Sequence, residues 1–195
     1  MRKINKTVYF VFFLLLFCNC NGQYDRNDIC KKKFKKAREL AYSNPCNVSA
    51  LETSLSLTNE CMQCDSIRKV VVDFKINLLI SMKKFTAGIN FIDSLSENDL
   101  AFPYKKNLFR NNFQALEFAS KKDTINRNLV YEKISRELEH YIQTHKITNK
   151  EFKEIYTEMF IIKDNYLDAN QINIDVENLI RIYPEQKPFF DFFKK

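Results

Sequence analysis

The chain has 195 residues, which is long enough for one domain with its own hydrophobic core. It contains only two glycines and four prolines, too few for the many tight turns of a β-rich fold, so the composition predicts an all-α fold. The net charge is +7, and removal of Arg2, Lys3 and Lys6 with an N-terminal segment that we expect to be cleaved would leave +4, a modest basic excess. Since no basic stripe interleaved with stacking aromatic residues points to nucleic acid, we expect no nucleic-acid partner.

The N-terminal segment has the order of a secretory signal, with a basic start followed by an unbroken apolar run. Arg2, Lys3 and Lys6 supply the charge, and residues 8–17 form the run. Ten helical residues span roughly 15 Å, whereas the hydrocarbon core of a bilayer is about 30 Å thick. The run is therefore too short for an ordinary transmembrane helix, and it predicts a cleaved signal peptide.

Two cysteines follow the apolar run directly. Cys18 has Leu15 three positions before it, whereas Cys20 follows the compact Asn19 and precedes a polar stretch. This arrangement resembles a bacterial lipoprotein signal peptide, whose first mature residue is a cysteine that receives lipid. We assign lipidation to Cys20, with Cys18 as second choice. The resemblance implies palmitate-type acyl chains that hold the protein on the bacterial cell envelope, at the outer membrane. A secreted protein cleaved near Gly22 is the alternative.

These assignments divide the chain into three parts. Residues 1–19 form the signal peptide, residues 20–28 a flexible tether, and residues 29–195 a helical domain. No predicted loop exceeds about ten residues and no linker interrupts the last part, so we treat it as one array.

Four cysteines remain beyond the tether. Outside the cytoplasm an even number predicts disulfides. Cys30 begins the first predicted helix, and Cys61 and Cys64 follow the second, so an antiparallel hairpin brings these ends together. Cys46 lies at the opposite end, roughly 20 Å from Cys61, and we expect it to be free. We favour Cys30 with Cys64, and Cys61 is the second choice as partner. The CxxC pattern of Cys61 and Cys64 lacks a preceding strand and a second ligand pair, which argues against redox and zinc sites.

Apolar residues recur at helical spacing along the rest of the chain, as on helices that bury one face. Asn44 and Pro45 separate the first two helices. The third and fourth are predicted to form a central hairpin over residues 65–95, with Gly88 where its backbones approach most closely. The stripes of these helices are Phe34, Ala37 and Ala41; Val48, Leu51 and Leu55; Ile67, Val71, Phe74 and Leu78 with a second face of Val70, Val72, Leu79 and Ile80; and Phe85, Ile89, Ile92 and Leu95.

Two further pairs follow. Asp123 is a predicted N-cap, and Thr148 with Glu151 forms a capping-box pattern. The phenylalanines of residues 188–193 are predicted to cover the end of the stack, with a docking motif as the alternative. The stripes are Leu108, Phe109, Phe113, Leu116 and Ala119; Ile125, Leu129, Ile134, Leu138, Tyr141 and Ile142; Phe152, Ile155, Met159 and Ile162; and Ile172, Val176 and Leu179.

The spacing of Phe85, Gly88 and Ile92, echoed by Phe34 and Ala37, resembles the tetratricopeptide repeat. The resemblance covers residues 29–183 and implies about four antiparallel helical hairpins stacked as a right-handed solenoid. Such arrays present an extended groove for a protein or peptide.

Residues with catalytic potential are scattered. His140 and His145 are five positions apart on one predicted helix, about 140° around it, so we interpret them as surface residues that do not share a metal ion. There is no nucleophile elbow and no glycine-rich phosphate loop. The sequence therefore predicts a protein that is not an enzyme, with no cofactor or metal site, and assigns no ligand-binding residue.

Two functions fit these predictions. The first is a membrane-anchored scaffold that binds an unidentified protein or peptide. The second is a self-protection (immunity) lipoprotein that neutralises one dedicated toxin or envelope partner.

Overall fold

A computed structural model describes residues 27–195, and all regular elements in this part of the chain are helical, which confirms the all-α prediction there. The chain divides into two compact units, one ending at Met82 and the other beginning at Lys83. The boundary lies in the turn of the predicted central hairpin, so its two helices belong to different units. The signal peptide and both predicted lipidation positions, Cys18 and Cys20, lie outside the described residues.

The described part of the first unit, residues 27–82, contains three α-helices. Asn44 and Pro45 follow the first helix, as predicted, because the residue before proline avoids the helical region. Asn47 caps the second helix through its side-chain oxygen, which accepts a hydrogen bond from Ala50 N at 3.1 Å. The elements are α1 (27–43), α2 (Val48–Cys61), a 3₁₀ turn (Asp65–Ile67) and α3 (Arg68–Ser81).

The core of this unit lies where the three helices meet. Phe34 of α1 packs edge-on against Phe74 of α3, with ring centroids 5.4 Å apart. Between α1 and α2 the contact residues are small: Ala37 and Ser54 are fully buried, and Ser54 Oγ donates a hydrogen bond to Ala37 O at 2.7 Å. Small side chains let the two backbones approach closely enough for this bond.

The second unit contains the remaining six α-helices of the described residues. Asp123 accepts a hydrogen bond from Asn126 N at 3.0 Å, which confirms the predicted N-cap. The elements are α4 (Phe85–Ser94), a 3₁₀ turn (Glu97–Asp99), α5 (Lys105–Ser120), α6 (Thr124–Thr144), α7 (Asn149–Lys163), α8 (Ala169–Ile182), a 3₁₀ turn (Pro184–Gln186), α9 (Lys187–Phe190) and a 3₁₀ turn (Asp191–Phe193).

Helices α4 to α7 pack in sequence, each against the next. At the α4–α5 contact the ring of Phe113 occupies the space beside Gly88, where a methyl group would stand. Gly88 is therefore needed for the Phe113 side chain of α5, whereas the sequence pattern attributed it to the closest backbone approach of the central hairpin.

The C-terminal phenylalanines pack mainly against α7. Phe190 is fully buried, with its ring centroid 5.1 Å from that of Tyr156, and Phe193 stacks on Phe160 at 4.5 Å. Phe192 points outward and is 85% exposed. Phe189 is half-buried against the same core. The run thus covers this end of the core with three of its four phenylalanines and leaves one in solvent.

Four residues predicted to lie on buried stripes are exposed instead. Ile125 and Leu129 of α6 are 74% and 53% exposed, and Val48 and Val70 of the first unit are 66% and 55% exposed. These four assignments were wrong. The remaining stripe residues of α1, α5, α7 and α8 are buried or half-buried.

Candidate functional site

An open cleft of about 240 Å³ lies between α5 and α6 in the second unit. Three side chains of its floor, Leu108, Ile134 and Leu138, are buried, since α5 and α6 pack along their length through these residues. The rim is polar and aromatic, and it consists of Tyr104, Asn107, Glu137, His140, Tyr141 and His145. We call this the α5–α6 cleft.

Aromatic rings form one wall of the cleft. The Tyr104 and Tyr141 centroids are 5.3 Å apart, and His145 stacks on Tyr141 at 4.1 Å with an interplanar angle of 16°. His145 reaches this position because α6 ends at Thr144 and His145 adopts an extended backbone, with φ −117° and ψ 147°. Both exposed histidines therefore border one cleft. Both histidines are exposed, as predicted, and His145 borders the cleft because residue 145 no longer follows the helix.

Glu151 of α7 holds Tyr141 in place. Tyr141 Oη donates a hydrogen bond to Glu151 Oε1 at 3.1 Å. Burial, assisted by this carboxylate, raises the pKa of Tyr141, so its hydroxyl remains a donor. Only half of the predicted capping box is present, because Thr148 Oγ1 accepts from Glu151 N at 3.2 Å while the Glu151 carboxylate is turned to the tyrosine.

Glu137 supplies the negative charge of the rim. Its Oε2 accepts a hydrogen bond from Nδ2 of the buried Asn111 at 3.1 Å, which fixes the carboxylate relative to α5. Lys133 Nζ lies 3.7 Å from the other oxygen, at the distance of a loose surface ion pair. Among the described residues no lysine or arginine lines the cleft, so the rim is electrostatically suited to a cation.

A buried ion pair stands next to the cleft. The ammonium group of Lys105, whose side chain is 9% exposed, contacts the Glu154 carboxylate and lies 3.4 Å from Glu158 Oε1. It also lies 5.8 Å and 5.9 Å from the ring centroids of Phe102 and Phe109, which is within cation–π range. This cluster ties the start of α5 to α7 and thereby fixes one side of the cleft.

The hydroxyl of Tyr104 is the unusual polar group of the site. The residue is only 7% exposed, and its oxygen has no hydrogen-bond partner among the residues that the structure describes. Burial, and then the nearby carboxylates of Glu158, Glu154 and Glu151, raise the pKa of Tyr104 above its ordinary value, so it remains neutral. Because the oxygen itself is buried, the ring of Tyr104, and not its hydroxyl, contributes to the cleft.

The four cysteines of the described residues all lie in the first unit. The structure joins Cys30 to Cys64 in a disulfide, the pairing that the hairpin geometry favours, with Cα atoms 6.4 Å apart. Cys46 is free and exposed, and Cys61 is free and buried. The Cys61 thiol lies 3.5 Å from Cys30 O, and burial raises its pKa, which disfavours the reactive thiolate.

Within residues 27–195 no three His, Cys, Asp or Glu side chains are grouped so that they could hold a metal ion. None of the helices in the described part combines the length and apolar character needed to cross a bilayer. No protein-family model, curated protein or solved structure matches this chain.

Proposed function

We propose that this protein is a lipid-anchored, non-enzymatic binding module of the bacterial cell envelope, and that the α5–α6 cleft receives a lysine or arginine side chain of a partner protein or peptide. The observation that carries the proposal is the composition of the cleft. The carboxylate of Glu137 and the rings of Tyr104 and Tyr141 line a space that no basic side chain of the described residues fills.

The chemistry of the cleft favours a cation. An ammonium or guanidinium group in the cleft would form an ion pair with the Glu137 carboxylate and contact the aromatic side chains of the rim, Tyr104 and Tyr141. A cleft of about 240 Å³ is below the range of about 300–1,000 Å³ typical of small-molecule sites. The site is therefore scaled to one side chain, which would act as the anchor of a larger protein interface.

The membrane location rests on the sequence. Acyl chains on Cys20 would hold the protein on the outer membrane, with a short polar tether before α1. The second unit presents the partner surface, and the consecutive packing of α4 to α7 supports the further proposal that the helices stack as tetratricopeptide-like hairpins.

A peptide selection tests the cleft. Peptides selected from a random library against the protein should be enriched in lysine or arginine, and Glu137→Gln should weaken the selected peptides about tenfold, because it removes the charge that faces the cation. Glu132→Gln is the matched control, since Glu132 is an exposed carboxylate on the same helix outside the cleft. Selection of acidic or uncharged peptides, or equal effects of both variants, would contradict the assignment.

Membrane fractionation tests the anchor. Cys20→Ala should move the protein from the membrane to the extracytoplasmic soluble fraction, whereas Cys18→Ala should leave it on the membrane. Purification from solubilised membranes then distinguishes the two functions. A scaffold should recover an assembly of several proteins, whereas a self-protection protein should recover one stoichiometric partner.

A further inference from the structure

A basic stripe runs along the exposed side of α1. Lys31, Lys35, Arg38 and Tyr42 follow one another at spacings of four, three and four residues, which places them on one face of the helix. All four are exposed, and Tyr42 is 66% exposed. We call these residues the α1 stripe. A neighbouring face of the helix, about 110° around from the stripe, carries Cys30, Ala37 and Ala41, which are buried in the first unit.

The α1 stripe borders an open surface depression of about 480 Å³, and the described residues that line it all belong to α1. The guanidinium carbon of Arg38 lies 5.7 Å from the centroid of Tyr42 and 6.0 Å from that of Phe34. These rings hold the arginine along the helix without neutralising it. The stripe therefore combines exposed cations with an amphipathic aromatic side chain, as at surfaces that meet lipid headgroups.

Charge is concentrated on this helix. Residues 27–43 contain six lysines and arginines and two acidic residues, a net charge of +4. Removal of residues 1–19 leaves 28 basic against 24 acidic residues, which is also +4, so α1 carries the whole excess of the predicted mature chain. Lys31, Lys36 and Arg38 have no ion pair among the described residues, and Lys35 lies 3.8 Å from Glu39.

We propose that the α1 stripe binds the phosphate groups of anionic phospholipids and lays α1 along the membrane surface. The proposal uses the anchor of the proposed function for its geometry and does not depend on the α5–α6 cleft. Seven residue steps separate Cys20 from Asn27, so even a fully extended tether places the start of α1 within about 25 Å of the lipidated residue. An acyl anchor and an adjacent polybasic segment together give more durable membrane binding than either alone.

The test measures partition of the full chain onto vesicles, with Cys18 and Cys20 both replaced by Ala so that acyl chains are absent. Vesicles of phosphatidylcholine are compared with vesicles that contain about 30% phosphatidylglycerol. Residues 8–17 contribute equally to both kinds of vesicle, and Arg2, Lys3 and Lys6 add the same electrostatic preference to every variant. The change in the ratio of the two partition coefficients between variants therefore reports the charges that the variants remove. We expect a preference for the anionic vesicles that is largely lost when salt is raised from about 0.1 M to about 0.5 M.

Charge removal locates the preference. The variant with three substitutions in the stripe should have a ratio of partition coefficients that is roughly 100-fold lower, because each charge contributes about fivefold. The substitutions are Lys31→Gln, Lys35→Gln and Arg38→Gln. The matched control is Lys146→Gln, Lys150→Gln and Arg181→Gln, which removes the same charge from exposed positions of the second unit and should leave most of the preference. Far-UV circular dichroism checks that both variants retain their helices.

Three outcomes would overturn the proposal. The first is an unchanged ratio in the stripe variant, and the second is an equal loss in the control variant, since either would mean that the α1 stripe is not the binding surface. The third uses a polyglutamate peptide as probe: if it binds the stripe more tightly than anionic vesicles at equal charge concentration, the stripe is a site for acidic protein segments. The peptide selection with the Glu137→Gln variant tests the α5–α6 cleft independently of the vesicle experiment. Failure of one proposal is therefore distinguishable from failure of the other.

Discussion

Gly88→Ala is the substitution whose outcome the packing determines most clearly. A methyl carbon on Gly88 would lie 2.6 Å from Cδ1 of Phe113 and closer still to two other atoms of the ring. Contacts below 3.0 Å require something to shift, and Phe113 is fully buried. The ring therefore has no solvent to move into.

The magnitude follows from two opposing effects. In a helix interior, alanine is more favourable than glycine by about 1 kcal/mol, whereas inserting a methyl group into a packed core costs about 1–3 kcal/mol. Because three ring atoms are too close, we expect the upper end of that range, and a net loss of roughly 2 kcal/mol. Ala87→Gly, at an exposed position of the same helix, should lose about 1 kcal/mol and measures the propensity effect alone.

The assay is urea unfolding followed by far-UV circular dichroism, with amide hydrogen exchange in α5 to report on the second unit. In a Phe113→Leu background the added methyl group has room, so Gly88→Ala should there be neutral or stabilising. The double-mutant cycle should give a favourable coupling of about 2–3 kcal/mol. If Gly88→Ala stabilises the parent protein, or if the two changes are additive, then the Phe113 ring does not occupy the space beside Gly88.

Three further predictions concern buried groups. Lys105→Met should destabilise the second unit by about 3 kcal/mol in urea unfolding, because it leaves two carboxylates without their cation; conversion of both carboxylates to amides should recover most of this loss. The Cys30–Cys64 disulfide closes a loop over a separation of 34 residues. Its reduction should therefore lower the free energy of unfolding of the first unit by about 3–4 kcal/mol. An unchanged thermal midpoint in dithiothreitol would refute this. Burial raises the pKa values of Tyr104 and Tyr156 in the folded protein, so these side chains ionise first in the unfolded chain. The contribution of the two tyrosines to the free energy of unfolding should therefore be constant below about pH 10 and fall above it by about 1.4 kcal/mol per pH unit for each tyrosine. An equal urea midpoint at about pH 9 and about pH 11 would contradict the burial of these hydroxyls.

The helices could be predicted from the sequence because local periodicity and caps determine them. The error in α6 has a geometric cause. From Leu129 the predicted stripe continued to Ile134, and a step of five residues turns the helix by about 140°. Leu138 and Ile134 lie on the buried face, so Ile125 and Leu129 lie on the other side. Ile125 and Leu129 share one face of α6, and Ile134 and Leu138 share another, so the error was to assign both pairs to the same face.

The candidate site could not be predicted because tertiary contacts decide the partners of its polar groups. Glu151 fits a capping box, yet its carboxylate binds Tyr141, which is ten residues earlier in the chain. His145 joins the cleft because the helix ends one residue before it. The signal of the α1 stripe was present in the 4-3-4 spacing from Lys31 to Tyr42, but the modest net charge of the whole chain concealed its concentration in one helix.

The intact mass of the mature protein, purified from membranes, tests the central claim of a lipid-anchored, disulfide-bonded binding module most directly. We predict a chain that begins at Cys20, carries acyl chains on that residue, and is lighter by two hydrogens than the fully reduced form, because Cys30 and Cys64 are joined. A mature N-terminus without lipid, or a chain that retains residues 1–19, would contradict the anchor and with it the membrane function.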